Sequence, residues 1–153
     1  MLGEVETRGS RFWRAAYKVL YRILALIDPV VRRAWRHAGI GNVVEIEVMA
    51  RDGGTRRRRL IGLLHSGGQT YVGHPNGDVG WTRDLTYAGT AVIRYHDGTI
   101  WPAMAHRLPS GAERESAIRA TSQHPFPGNL VYRLGRGHIR AVGVFFRLAS
   151  AGS

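Results

Sequence analysis

The chain has 153 residues, enough for one hydrophobic core and too few for two independent ones, and its 22 basic against 11 acidic residues give a net charge of +11. Lys18 is the lone lysine, so the positive field is almost wholly guanidinium and attracts polyanions: nucleic acid, acidic lipid or an anionic coenzyme. The absence of cysteine excludes disulfides, thiolate metal sites and cysteine catalysis, and no apolar run approaches a membrane span or a secretory h-region, which points to a cytoplasmic protein.

Residues 1–42 read as a basic helical segment. Met1–Ser10 is polar and expected to fray. From there Trp13, Tyr17, Leu20, Leu24 and Ile27 fall on one helical stripe, flanked by Arg11, Arg14, Lys18 and Arg22, and Ser10 is placed to cap the helix. Asp28-Pro29 is expected to end it, because the residue before proline avoids the α region. A second short helix then runs through Trp35 to a stop at Gly39 and Gly41. Such helices suit either packing on a sheet or peripheral membrane contact through Arg11–Arg36. Packing is the expected role, since a small domain has apolar sheet surface to cover.

Residues 43–149 read as an antiparallel β domain. Val43–Met49 alternates Val44, Ile46 and Val48 with Glu45 and Glu47, the pattern of a half-buried strand. Arg51-Asp52-Gly53-Gly54-Thr55 permits a tight hairpin into a second strand, Arg56–His65, and Ser66-Gly67-Gly68-Gln69 turns the chain again into Thr70–His74. His74-Pro75-Asn76-Gly77-Asp78 is a loop and Trp81–Leu85 a short helix. Thr90–Tyr95 and Ile100–Leu108 pair across His96-Asp97-Gly98-Thr99, with Pro102 favouring an edge or a bulge. Ser110 and Glu113 form a capping-box pattern for a helix reaching Ser122, His124–Asn129 breaks it, Leu130–Leu134 suits a helical turn, and Ile139–Leu148 is expected as the closing strand. The class is α+β, mainly antiparallel β: a small barrel of about six strands with N-terminal amphipathic helices and short interposed ones.

The four arginines Arg56 to Arg59 cannot all face a core, because an unpaired buried charge costs several kcal/mol. Strand alternation sends Arg57 and Arg59 one way and Arg56 and Arg58 the other, so one pair lines a cleft or a second solvated face. A cleft of guanidinium groups wants phosphate or carboxylate; the alternative is a solvated edge strand whose charges prevent sheet-to-sheet aggregation. His65, His74, His96, His106, His124 and His138 show no metal-ligand spacing, and no GxSxG, P-loop or GxGxxG motif is present. Tyr71 and Trp81 among basic strands lack an RNP-type or helix-turn-helix pattern, so nucleic acid is disfavoured.

Three stretches carry a resemblance. Arg51-Asp52-Gly53-Gly54-Thr55 with Arg57 is similar to G-R-K-[ST]-G-x-x-R at Arg51, Gly54 and Arg57, while Ala50, Asp52 and Gly53 depart from it. Trp81-Thr82-Arg83-Asp84-Leu85 is similar to W-Y-x-N-L, with Asp84 for asparagine, and the Glu113–Gln123 helix with His124-Pro125 is similar to E-R-x-x-x-W followed by YP. In this order, from about Val43 to Leu148, they resemble the deazaflavin (F420)-dependent nitroreductase family, the split β-barrel flavin-type oxidoreductases. The resemblance implies hydride transfer from reduced F420 to a small electrophilic acceptor such as a quinone or nitro compound, with FMN as the alternative cofactor. It implies cofactor-binding roles for Arg51, Gly54, Thr55, Arg57, Arg59, Asn76, Trp81 and Asp84, and places Tyr132 and His74 at the acceptor pocket or as proton donors. Asp52 puts a negative charge where the family has lysine. A homodimer stays open, and the second reading is a non-catalytic split barrel that carries a deazaflavin, FMN or haem-like ligand.

Overall fold

The computed structural model describes residues 8–151; the fraying expected of residues 1–7 lies outside them, and Arg8 to Ser10 are helical. Helix α1, Arg8–Ala38, is one continuous element where two were expected, and Pro29 lies inside it. An interior proline removes a backbone hydrogen bond at a cost of about 3 kcal/mol. Packing on both sides of Pro29 offsets this. Tyr17 is fully buried before it; after it Arg32 pairs with Asp28 at 2.7 Å, and buried Trp35 donates its indole N–H to the Val43 carbonyl at 2.8 Å. Ser10 therefore sits within the first turns, its hydroxyl 3.2 Å from His138 Nδ1, and does not cap the helix. Trp13 and Tyr17 point inward as expected, but Leu24 and Ile27 are exposed and Tyr21 carries the inward stripe on.

Seven strands, one more than expected, form a single antiparallel sheet: β1 Val43–Met49, β2 Arg56–Gly62, β3 Leu64–Ser66, β4 Gln69–His74, β5 Thr90–Arg94, β6 Ile100–Arg107 and β7 Val144–Ser150, in the spatial order β2-β1-β5-β6-β7-β4-β3. The stretch Arg56–His65, expected as one strand, is β2 and β3 divided at Leu63, and these two lie at opposite edges of the sheet. Since one residue joins the edges, the sheet curls until they approach each other, and the architecture is an α+β half-barrel. Asn42 holds the corner: its carbonyl accepts the Leu63 N–H at 2.9 Å and its side-chain amide donates to the Leu63 carbonyl at 3.0 Å.

Helix α2, Gly80–Ala88, sends Trp81 and Leu85 into the barrel interior against Ile46, Ile93, Val72 and Phe146. On the opposite side α3, Ala112–Ala120, and α5, Arg136–Val142, cover Leu64, Tyr71 and Phe145 through Ile118 and Ile139, and α4, Gly128–Leu134, joins them. The expected strand Ile139–Leu148 is thus helix α5 followed by β7, divided at Gly143. Its apolar run satisfies both periods, so periodicity alone does not separate them. The Ser110 capping box does not form either. Gly111 holds the N-cap, and Glu113 instead receives Arg147 at 2.7 and 2.9 Å and the Tyr71 hydroxyl at 3.2 Å. Pro102 lies opposite Val92 in an internal strand, one residue before the first β6–β7 pair, where the ladder on that side begins.

Candidate functional site

The β1–β2 register decides where the arginines go. Glu47 faces Arg58 and Val48 faces Arg57. Arg56 and Arg58 therefore share the outer face with Glu45 and Glu47, while Arg57 and Arg59 share the inner face with Ile46 and Val48.

On the outer face β1 is not half-buried: Glu47 is 5% and Glu45 4% exposed. Arg56 Nη1, Arg58 Nε and Arg94 Nη2 reach the Glu47 carboxylate at 3.1, 2.7 and 3.5 Å, and Arg32 from α1 reaches Glu45 at 2.8 Å. Burial pushes the Glu47 pKa up, but the hydrogen bonds from Arg56 and Arg58 and the charges of Arg58 and Arg94 hold it below its ordinary 4.5. The covering of α1 and the arginines explains why an alternating strand is buried on both sides.

On the inner face a crevice of about 330 Å³ opens between β1, β2 and α2, bordered by Arg57 and Arg59, by Arg58 between them, and by Ile46, Val48, Gly80, Trp81 and Asp84. Among the described residues neither Arg57 nor Arg59 is ion-paired. Desolvation lowers the Arg59 pKa from its ordinary value, with the charges of Arg32 and Arg57 acting the same way and Tyr21 and Asp28 opposing.

Two of the predicted cofactor residues meet each other. Arg51 donates both its Nε–H, at 2.9 Å, and its backbone N–H, at 3.2 Å, to Oδ1 of buried Asp84, tying the β1–β2 hairpin to α2. Gly54 and Thr55 lie exposed at the hairpin tip and do not border the crevice. There Gly53 takes φ +75°, the Thr55 carbonyl accepts the Ala50 N–H at 2.8 Å, and Asp52 accepts the Gly54 N–H at 3.0 Å. Asp52, which departs from the family's lysine, thus closes the turn. Asn76 is likewise engaged in the fold: its Oδ1 takes His138 Nε2 at 2.9 Å and its amide donates to the Arg14 carbonyl at 3.2 Å, joining the loop after β4 to α5 and α1.

His74 and Tyr132 are connected by a residue that the sequence reading missed. The Tyr21 ring stacks on His74 with centroids 4.9 Å apart, and its hydroxyl shares a 2.9 Å hydrogen bond with that of Tyr132. His74 in turn meets Trp81 edge-on at 6.4 Å, so the group backs the crevice wall. Burial and the Arg59 charge push the His74 pKa down to about 4, and its Nδ1 accepts the Asn76 N–H at 3.2 Å, so the ring is neutral at pH 7. Burial raises the pKa of both Tyr21 and Tyr132, and both phenols keep their protons. The one signal for Tyr21 in the sequence is the four-residue step that runs from Trp13 to Tyr17 to Tyr21. The crevice thus has a cationic rim and an aromatic wall at Trp81, while Tyr21, His74 and Tyr132 pack behind that wall and do not border the crevice.

The chain matches no protein-family model and no curated protein. Among solved structures it is similar to the F420-H2 dependent reductase FDR-A, with a TM-score of 0.55 and 14% identity over 71% of this chain and 94% of that one. It is also similar to the haem storage protein HutZ from Vibrio cholerae, with a TM-score of 0.54 and 10% identity over 83% of this chain and 92% of that one. A domain-swapped dimer gives a TM-score of 0.54 and 13% identity over 82% and 98% of the two chains. Likeness at these identities is likeness of fold, and the fold of this chain is the α+β split barrel.

Proposed function

We propose that the chain is an F420H2-dependent oxidoreductase of the nitroreductase or quinone reductase type. The observation that carries this reading is the inner crevice, where two guanidinium groups without ion partners among the described residues border a recess walled by Ile46, Val48 and Trp81. A volume of about 330 Å³ admits a ring system. Arg57 and Arg59 are then the residues that hold an anionic tail, each charge-assisted contact contributing about 1.5–3 kcal/mol where partly desolvated. FMN, with its phosphate, is the alternative cofactor for the same two groups.

When bound, the reduced deazaflavin supplies a hydride to a small electrophilic acceptor, a quinone or nitro compound. The protein orients and shields. Trp81 forms the apolar wall, and the Arg51–Asp84 pair fixes the helix that carries it. Helix α1 lays Tyr21 against His74, which backs Trp81. Neutral His74 shapes the wall and does not act as an imidazolium acid, while Tyr132 holds a proton at its hydroxyl next to Tyr21. One of the similar split barrels is a domain-swapped dimer, and a homodimer is part of this reading. So is a peripheral membrane contact: α1 leaves Val19, Ile23, Leu26 and Val30 exposed on its outer side among basic residues, though no helix of the described residues is long and apolar enough to cross a membrane.

The test is a visible-absorption titration of the purified chain with reduced F420, followed by addition of a quinone. Saturable binding with turnover supports the reading; no binding at high micromolar coenzyme ends it. One observation favours a second reading, a non-catalytic carrier of a deazaflavin, FMN or haem-like ligand. Tyr21 stands between His74 and Tyr132, where an acceptor would enter. Binding without turnover on any quinone or nitro acceptor selects the carrier.

A further inference from the structure

We infer that the outer face of the sheet carries a second anion site, separate from the crevice, that takes a phosphate group. A groove of about 200 Å³ lies between the last turn of α1, strands β1, β2 and β5, and the β5–β6 turn, bordered by Trp35, Arg36, Glu45, Arg58, Arg94 and His96. Three guanidinium groups and an imidazole face one small space there. The single carboxylate in its wall, Glu45, is already engaged by Arg32 at 2.8 Å, which offsets its repulsion of an anion.

The donors in this groove are not fully used. Arg36 has no ion partner among the described residues. Arg94 reaches Glu47 only at 3.5 Å through Nη2, and its buried Nε–H has no acceptor. A buried donor without an acceptor is costly, so a ligand oxygen that satisfies it is favoured. Three guanidinium groups around one small space favour an oxyanion that carries more than one charge and several oxygens, and a tetrahedral phosphate supplies both. Arg58 stays bonded to Glu47 at 2.7 Å through Nε, which leaves its terminal nitrogens as donors. Asp97, in the adjoining turn, is fully exposed and accepts the Thr99 N–H at 2.8 Å. The phosphate belongs either to a free phosphate ester or to a lipid headgroup, and the chemistry of the groove is the same for both.

The experiment uses the full chain labelled with nitrogen-15, with the Arg94 Nε–H resonance assigned by comparison with Arg94→Lys, titrated with inorganic phosphate. A saturable shift of that resonance is expected, weakened about tenfold in Arg36→Gln and unchanged in Arg57→Gln/Arg59→Gln, whose loss belongs to the inner crevice. Arg36 is the variant of choice because it is exposed and supports no buried group. If inorganic phosphate leaves the resonance in place, the chain is mixed with phosphatidylcholine vesicles with and without phosphatidylglycerol. Binding that needs phosphatidylglycerol and falls in Arg36→Gln assigns the groove to a headgroup. No response to either probe, or an equal response in wild type and Arg36→Gln, overturns the site, and neither result bears on coenzyme binding in the crevice.

Discussion

The two sides of strand β2 carry the same residue and do different work. Arg56 and Arg58 turn outward onto Glu47, where their charge is neutralised by a buried carboxylate and contributes to the fold. Arg57 and Arg59, each one position away, turn inward to a crevice with no carboxylate bonded to them among the described residues. The parity of a strand position, not the residue type, therefore separates charge that is paired in the fold from charge that borders the crevice. It also shows how one ribbon serves both: the outer pair locks β2 to β1 so that the inner pair is held in place beside the recess.

Reversing which pair is removed is the strongest way to break this comparison. Arg57→Gln/Arg59→Gln is expected to lose two charge-assisted contacts, about 3 kcal/mol or ~100-fold in F420 affinity, with little change in melting temperature. Arg56→Gln/Arg58→Gln is expected to do the opposite: lowered stability and nearly unchanged affinity. Paired titrations and thermal melts decide it, and equal losses of affinity in the two variants would dissolve the distinction.

Acid separates the two sides by a different route. His74 has a folded pKa of about 4 against an ordinary 6.5, so below pH 6.5 the unfolded chain binds its proton first. The stability it contributes is complete above pH 6.5 and falls as the pH drops to about 4, a loss of about 3 kcal/mol. His124, pushed down to about 4 by burial, acts in the same window. The lowered pKa of Glu47 works lower: its stabilisation is present above its ordinary 4.5 and is lost as the pH falls through its folded value. Urea midpoints taken from neutral pH downward should thus fall first through the two histidines, between pH 6.5 and about 4, and then through Glu47 below 4.5. His74→Gln should make the upper limb shallower, His124 supplying what remains, and a single drop confined to the region below 4.5 would contradict this order. At neutral pH, Glu47→Gln is expected to cost about 2 kcal/mol, because three guanidinium groups lose a charged acceptor. The difference from wild type should shrink toward zero in acid, where Glu47 is protonated in both states.

Much of this was legible beforehand because β signals are local. The alternation in Val43–Met49, the Gly53-Gly54 bend and the opposed parity of Arg56–Arg59 are properties of a few adjacent residues, and the barrel follows from them. What escaped depends on distant packing. Pro29 breaks helices by local rule, but Tyr17 on one side and Arg32 and Trp35 on the other anchor a single helix through it. Ile139–Leu148 is apolar in both periods, and the packing of Ile139 with Phe145, Ile118 and Leu64 goes with a helical first part. The candidate site divides the same way. Strand parity separated Arg57 and Arg59 from Arg56 and Arg58 without saying which pair lines the cleft, and the resemblance singled out Arg57, Arg59 and Trp81, whereas the Arg51–Asp84 bond joins residues far apart in sequence, and Tyr21 meets His74 and Tyr132 only when α1 folds over them.

Tyr21 gives the smallest of the expected effects and the sharpest view of the inner side. Tyr21→Phe removes the 2.9 Å hydroxyl contact with Tyr132 while leaving the ring on His74, so about 1 kcal/mol of stability should be lost. If Tyr21 only backs the wall, coenzyme affinity should not follow that loss, because its ring and the Arg57–Arg59 rim both remain. An affinity that falls in step with stability would instead put the phenol in contact with the bound ring. Helix α1 would then be part of the coenzyme site itself, and the inner side of β2 would owe its ligand to a helix as much as to its two arginines.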